Sequence, residues 1–122
     1  MKNKLIFSVC QQNNQDDANI EWTKDLLTIN KIEYKAIVGA YNNINELSFV
    51  VSDNKRTRQL VSMICDFTNQ DCYLRVDIFS KSYLHFFNGD VQYIGYFRKV
   101  TRQHAKLKDA YFIIDNEYFV AE

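Results

Sequence analysis

Apolar and polar positions along this chain recur with two different periods, and the switches between them mark out the elements. Residues 5–10 form a short apolar run with a β-branched member, closed by the polar stretch Gln11 to Asp17, which predicts a buried strand. Residues 14–30 change to helical spacing. Ala18, Trp22, Leu26 and Ile29 recur at intervals of four, four and three and share one face, with Asn14 or Asp16 as the expected cap. Residues 33–41 return to alternation, Asn42 to Asn45 supply a turn, and residues 47–51 run back as the second arm of a hairpin. Ser52 or Asp53 then caps a second helix, in which Thr57, Leu60, Val61, Ile64 and Phe67 form one stripe that ends near Asn69-Gln70. Residues 71–79 alternate again. A second hairpin over 83–87 and 91–100 turns at Asn88-Gly89-Asp90, where Asn-Gly is a strong hairpin signal. Residues 101–108 predict one short helical turn, and 111–120 a last strand or a small hairpin around Asp115-Asn116.

The order β-α-β-β-α-β matches the split βαβ plan. It predicts an α+β, ferredoxin-like core with two helices on one face of an antiparallel sheet and a C-terminal β-hairpin extension, in a single domain spanning 1–122. No internal linker or low-complexity segment interrupts it.

Composition narrows the function classes. Fifteen Lys and Arg balance fifteen Asp and Glu, which excludes a histone-like coat for nucleic acid. There are only three Gly and no Pro, and the isolated Gly39, Gly89 and Gly95 cannot make a phosphate loop. Three cysteines, Cys10, Cys65 and Cys72, are an odd set for a disulfide framework and read as free thiols. Neither His85 nor His104 stands at a metal-ligand spacing from them, so no metal and no cofactor is expected. The basic start with its six-residue apolar run is too short for a secretory leader, and no run approaches the ~20 residues of a membrane span, so a cytoplasmic location without membrane contact is expected.

The zero net charge conceals a separation. Residues 98–108 carry Arg98, Lys99, Arg102, Lys106 and Lys108 with no acid, and Asp109, Asp115, Glu117 and Glu122 follow. Nine Phe and eight Tyr exceed what one small core uses, and neighbours such as Phe86 and Phe87 must face opposite sides of a strand. Exposed aromatics beside basic residues are interface anchors. Tyr83, Phe86, Tyr93, Tyr96, Arg98, Lys99 and Arg102 are therefore the predicted partner-binding surface.

The string Val38-Gly39-x-Tyr41, four residues, then Glu46-x-Ser48-Phe49-x-Val51 resembles the hairpin of a small family of uncharacterised bacterial and phage proteins. Asn13-Asn14 before the first helix, Gln70 after the second, and Gly95-x-Phe97-x-x-Val100 extend the resemblance over most of the chain. The resemblance implies context and no activity: a small phage protein acting in the host cytoplasm. Its polar positions outline a second candidate site, a polar pocket of Asn14, Tyr41, Glu46, Ser48 and Gln70.

With no nucleophile–base pair, phosphate loop or metal motif in the sequence, the leading expectation is a non-enzymatic phage protein. It would inhibit or redirect a host defence or nucleic-acid-handling protein by direct contact. The alternatives are a module binding RNA or single-stranded nucleic acid through the basic strip 98–108, and a small-molecule or nucleotide binder at Asn14, Glu46, Ser48 and Gln70. An unpaired sheet edge would also allow a homodimer.

Overall fold

The computed structural model describes residues 3–122; Met1 and Lys2, part of the basic start weighed in the leader argument, lie outside them. Eight strands and three helices follow in the order β1 (Lys4–Ser8), α1 (Asp16–Ile29), β2 (Tyr34–Tyr41), β3 (Ile44–Ser52), α2 (Lys55–Phe67), β4 (Cys72–Val76), β5 (Lys81–Phe86), β6 (Val91–Val100), α3 (Arg102–Lys106), β7 (Ala110–Ile114) and β8 (Glu117–Ala121). The strands close into an antiparallel barrel in the order β1-β3-β2-β7-β8-β6-β5-β4.

This overturns the ferredoxin-like expectation. β1 does lie between β3 and β4, and β3 beside β2, but no open sheet results. β2 goes on to pair with β7 and β4 with β5, so the strands after α2 are half of the wall and not an appended hairpin. The physical reason is the edge. An open four-stranded sheet leaves two rows of unpaired N–H and C=O groups, and closure removes both. The surplus aromatics contribute to this closure: Phe97, Phe112 and Phe119 pack together across β6, β7 and β8, with ring centroids 5.3–5.8 Å apart.

Strand alternation then sorts the side chains into three clusters. Leu5, Phe7, Phe49 and Val51 face outward and meet Leu27 of α1 and Val61, Ile64 and Cys65 of α2. Ile6, Ile37, Leu74, Val76, Phe97 and Phe112 face inward and fill the barrel. A smaller cluster of Ala40, Tyr111 and Val120 lies outside under Ala105 of α3.

The helices differ from expectation in detail. α1 fully buries Thr23 and Leu27; of the Ala18–Trp22–Leu26–Ile29 face, Trp22 and Leu26 pack half-buried on the same core, whereas Ala18 is exposed and Ile29 is 77% exposed. Its N-cap is Gln15, without a side-chain bond; the Asp16 carboxylate instead accepts the backbone N–H groups of Gln11 and Gln12. α2 starts one residue later than expected, at an Asn54 cap that forms a reciprocal capping box with Thr57. Its stripe holds through Thr57, Val61 and Ile64, whereas Phe67 stays exposed and packs on Trp22 of α1. β4 stops at Val76 because the Asp77 side chain accepts the N–H groups of Phe79 and Lys81, turning the chain and leaving Ile78 and Phe79 outside. The turns are asparagine- and aspartate-driven as expected: Asn42-Asn43 and Asp115-Asn116 all have positive φ.

Candidate active site

The barrel holds a cavity of about 500 Å³ beside the packed Phe97, Phe112 and Phe119 rings, opening among the ends of β1, β2 and β8 and the starts of β4 and β7. That size suits a small-molecule ligand, and a barrel mouth is a common place for one. Its apolar wall is Ile6, Leu74, Leu84, Ile94 and Phe112; its polar rim includes Ser8, Tyr41, Glu46 and Gln70.

Gly39 makes the centre of this rim. It sits two residues before Tyr41 on the same face of β2 and opposite Glu46 of β3. A Cβ at Gly39 would come within 2.8 Å of Ser48 Oγ and 2.9 Å of both Cε2 and the hydroxyl of Tyr41. The missing side chain lets the Tyr41 ring fold back along its own strand. Tyr41 Oη then lies 3.5 Å from Ser48 Oγ, and its ring stands edge-on to Phe112 at 6.0 Å. Burial raises the Tyr41 phenol from its ordinary 10.0 to about 12, so it is a neutral hydrogen-bonding group and not a base at neutral pH.

Glu46 faces the same space from β3, one position inward of the turn-forming residues. Burial, and then the nearby Asp16 charge, raise its carboxyl above the ordinary 4.5, against hydrogen bonds from Ser8 and Gln12 that favour the charged form. Ser8 Oγ also accepts the N–H of Cys10, which fixes its position at the end of β1. Gln70 is anchored after α2 by donating from Nε2 to the Cys10 carbonyl at 2.9 Å. Cys72, at the start of β4, lines the cavity with its thiol held protonated by burial and then by Asp71. Lys108 and Asp109 enter from the connection between α3 and β7. The Asp109 carbonyl accepts the N–H of Asn42 at 2.7 Å, tying this connection to the β2–β3 turn.

Of the five residues expected to form a polar pocket, Tyr41, Glu46 and Gln70 line the cavity and Ser48 touches Tyr41. Asn14 does not line it and is exposed ahead of α1. The other expected surface falls elsewhere. Tyr83 packs at a tilt on Tyr93, with ring centroids 5.5 Å apart, beneath the Arg75 guanidinium, and Tyr93 and Tyr96 are half exposed. Phe86 ends β5 at the far hairpin. Arg98 and Lys99 are met internally by Glu122 and Glu117, and Arg102 is exposed at the start of α3. His85 accepts from Arg75 Nε at 2.9 Å and stacks on Tyr73, which leaves Nδ1 as its protonated nitrogen. His104 Nε2 lies 2.8 Å from Glu122. Neither histidine lines the cavity.

Sequence reasoning missed Ser8, Asp71, Cys72 and Asp109 as pocket residues, and set Lys108 in the basic strip 98–108 and not in the pocket. Ser8 carried a signal: it is the one hydroxyl inside the run 5–10, on the inward face with Ile6. The others come from strand starts and a connection that only barrel closure brings together. Among the described residues, no three His, Cys, Asp or Glu side chains are grouped to hold a metal ion, and no helix is long and apolar enough to cross a membrane.

The model of the S-adenosylmethionine lyase family matches residues 5–122. The chain belongs to the S-adenosylmethionine lyase family. A search of curated proteins finds no match. Membership over nearly the whole chain points to an enzyme and overturns the expectation of a non-enzymatic protein that inhibits a host partner. The family membership also gives the barrel-mouth cavity a chemical context that its residues alone do not specify.

Proposed function

We propose that this protein cleaves the carbon–sulfur bond of S-adenosylmethionine in the barrel-mouth cavity. Membership in the lyase family over residues 5–122 carries this reading. The cavity supports it: an apolar wall for the adenine, beside carboxylates of Glu46, Asp71 and Asp109 for the cationic part of the substrate.

The substrate explains why no catalytic motif is needed. A trialkylsulfonium leaves without protonation, so the reaction requires only an electron pair at Cγ of the methionine portion. Elimination would require removing a Cβ proton that no adjacent carbonyl acidifies, too weak an acid for a carboxylate base. The substrate's own carboxylate is the better donor. One of its oxygens attacks Cγ, the Cγ–S bond breaks with its pair going to sulfur, and 5′-methylthioadenosine departs from a five-membered lactone. No proton, water or oxidant is consumed. The step is unimolecular, so holding the chain folded is the main task, and the right geometry is worth a large effective molarity. The step also cancels a negative against a positive charge. An apolar, water-poor wall favours that loss of charge separation over the solvated zwitterion.

The same argument assigns Glu46. A carboxylate paired to the sulfonium would stabilise the ground state more than the transition state. Paired to the α-ammonium, whose charge persists through the reaction, it positions the chain without that penalty. Tyr41 and Ser48 supply neutral hydroxyls beside it.

The hairpin string from Val38 to Val51 thus supplies Tyr41, Glu46 and Ser48. A phage-encoded protein in the host cytoplasm is compatible with a composition rich in Asn, Lys and Ile and free of Pro. The test is incubation of purified protein with S-adenosylmethionine in deuterium oxide, with early time points resolved by chromatography and mass spectrometry. The expected products are 5′-methylthioadenosine and a lactone without carbon-bound deuterium. Unconsumed S-adenosylmethionine sinks the activity, and an unsaturated four-carbon acid sinks the internal displacement.

A further inference from the structure

The cavity lining is lopsided in charge. It holds three carboxylate residues, Glu46, Asp71 and Asp109, and a single cationic one, Lys108. A zwitterionic sulfonium amino acid has the mirror image: two cationic centres and a single carboxylate. The environment of Lys108 strengthens the match. Its Nζ lies 2.9 Å from Glu122 Oε1. The same carboxylate receives Arg98, from Nε at 2.9 Å and Nη2 at 2.6 Å, and faces His104 Nε2 at 2.8 Å. Two permanent cations, Arg98 and Lys108, therefore share one side-chain carboxylate. An ammonium has three N–H donors, and the contact with Glu122 uses one. The connection that carries Lys108 is held at the mouth by the bond from Asn42 to the Asp109 carbonyl, directly after Tyr41.

We propose that Lys108 receives the α-carboxylate of the substrate, and so selects amino-acid-bearing adenosyl ligands over those that lack the acid. Glu122, itself fixed by Arg98 and His104, is the positioning residue that holds the ammonium. The charge of that carboxylate is spent in the displacement, so the contact serves binding and selection and not the rate, and its second oxygen is left to attack Cγ. This rests on the reading of the cavity as the S-adenosylmethionine site.

The test uses unreactive ligands: S-adenosylhomocysteine, and its decarboxylated counterpart with a 3-aminopropyl chain. Calorimetric titration of the wild-type chain is expected to show a preference for the acid-bearing ligand of roughly ten- to a hundredfold, the usual range for a charge-assisted pair. Lys108→Met is expected to weaken the acid-bearing ligand to the level of the decarboxylated one, and Lys108→Arg to restore most of the preference. Lys108 is exposed, so these variants are expected to fold, and their melting curves check it. A preference that survives Lys108→Met overturns this assignment and leaves the cavity reading intact. A wild-type chain that binds neither ligand overturns both.

Discussion

Gly39→Ala isolates the role of the rim geometry. The added methyl would stand 2.8 Å from Ser48 Oγ and 2.9 Å from two atoms of Tyr41, well inside ordinary van der Waals contact. Ser48 is fully buried on β3 and cannot retreat. The Tyr41 ring must therefore swing away, losing its hydroxyl contact and its edge-on packing against Phe112. Overpacking of this kind costs ~1–3 kcal/mol. For a chain of this length that is a fall in melting temperature of roughly 4–12 °C, from about 2 cal/mol/K of unfolding entropy per residue. Without the clash, replacing a strand glycine by alanine would be neutral or stabilising by ~0.4–1 kcal/mol, because the unfolded chain loses freedom. A mutant cycle separates the two. In a background carrying both Tyr41→Ala and Ser48→Ala the obstruction is gone, and Gly39→Ala should cost well under 1 kcal/mol in urea titrations, a coupling of at least ~1 kcal/mol between Gly39 and this pair. Cleavage of S-adenosylmethionine should fall at least tenfold in Gly39→Ala alone. An equal cost in both backgrounds would refute the reasoning, since Gly39 would then be required by the strand and not by the two side chains beside it.

Three further outcomes follow from the same geometry. Because the Glu46 carboxyl is raised above 4.5, it takes up its proton early as pH falls. The activity should show an acid limb lying above pH 4.5, and Glu46→Gln should remove the limb together with most of the rate; an unchanged limb in that variant rejects Glu46 as its source. Glu122 is shifted the other way, to about 2, first by the hydrogen bonds from His104 and Lys108. Its stabilising contribution is full above pH 4.5 and is lost as pH falls toward about 2, so Glu122→Gln should flatten the acid-unfolding profile over that window and shift it little below. Gly95 has φ +109° and would place a Cβ 2.2 Å from the Glu122 carbonyl carbon, where Tyr96 and Glu122 exchange two backbone hydrogen bonds. Gly95→Ala should cost ~3 kcal/mol or more in chemical denaturation, as the strained φ adds to the backbone clash; a loss below 1 kcal/mol would show that β8 shifts freely.

Legibility in the sequence followed the range of each signal. Local signals held: the asparagine turn at Asn42-Asn43, the alternation of β2 and β3, the α2 stripe through Val61 and Ile64, and the short α3 all stand close to where periodicity put them. The α1 face was half right: Trp22 and Leu26 pack against the core, but Ala18 and Ile29 are exposed, and the helix buries Thr23, whose hydroxyl is satisfied by the Asn19 carbonyl. The architecture failed because it depends on pairings such as Val38 with Ile113, far apart in sequence, which no local pattern encodes. The rim was half legible. Tyr41, Glu46 and Ser48 lie on one hairpin and share a face by alternation, whereas Lys108 reaches the cavity only because β7 docks on β2.

The failure to expect an enzyme has a chemical cause. The motifs searched for are those in which the protein supplies the nucleophile, the metal or the phosphate cradle. A substrate that carries both a leaving group and a nucleophile asks for none of these. It asks for a dry wall, a way of bending a flexible chain, and charges placed where they persist through the reaction. In the proposed reading Leu74, Leu84, Ile94 and Phe112 supply the wall and Glu46 the persistent charge contact, while Lys108 serves binding; these residue types also occur in any core or on any surface. Their meaning lies in arrangement. For the same reason, single substitutions along the apolar wall should lower the rate through water entry more than through lost contact. Leu84→Asn should therefore reduce turnover far more than Leu84→Ala, although the asparagine preserves more of the leucine volume. Equal losses in the two variants would show that shape, and not dryness, is what the wall contributes.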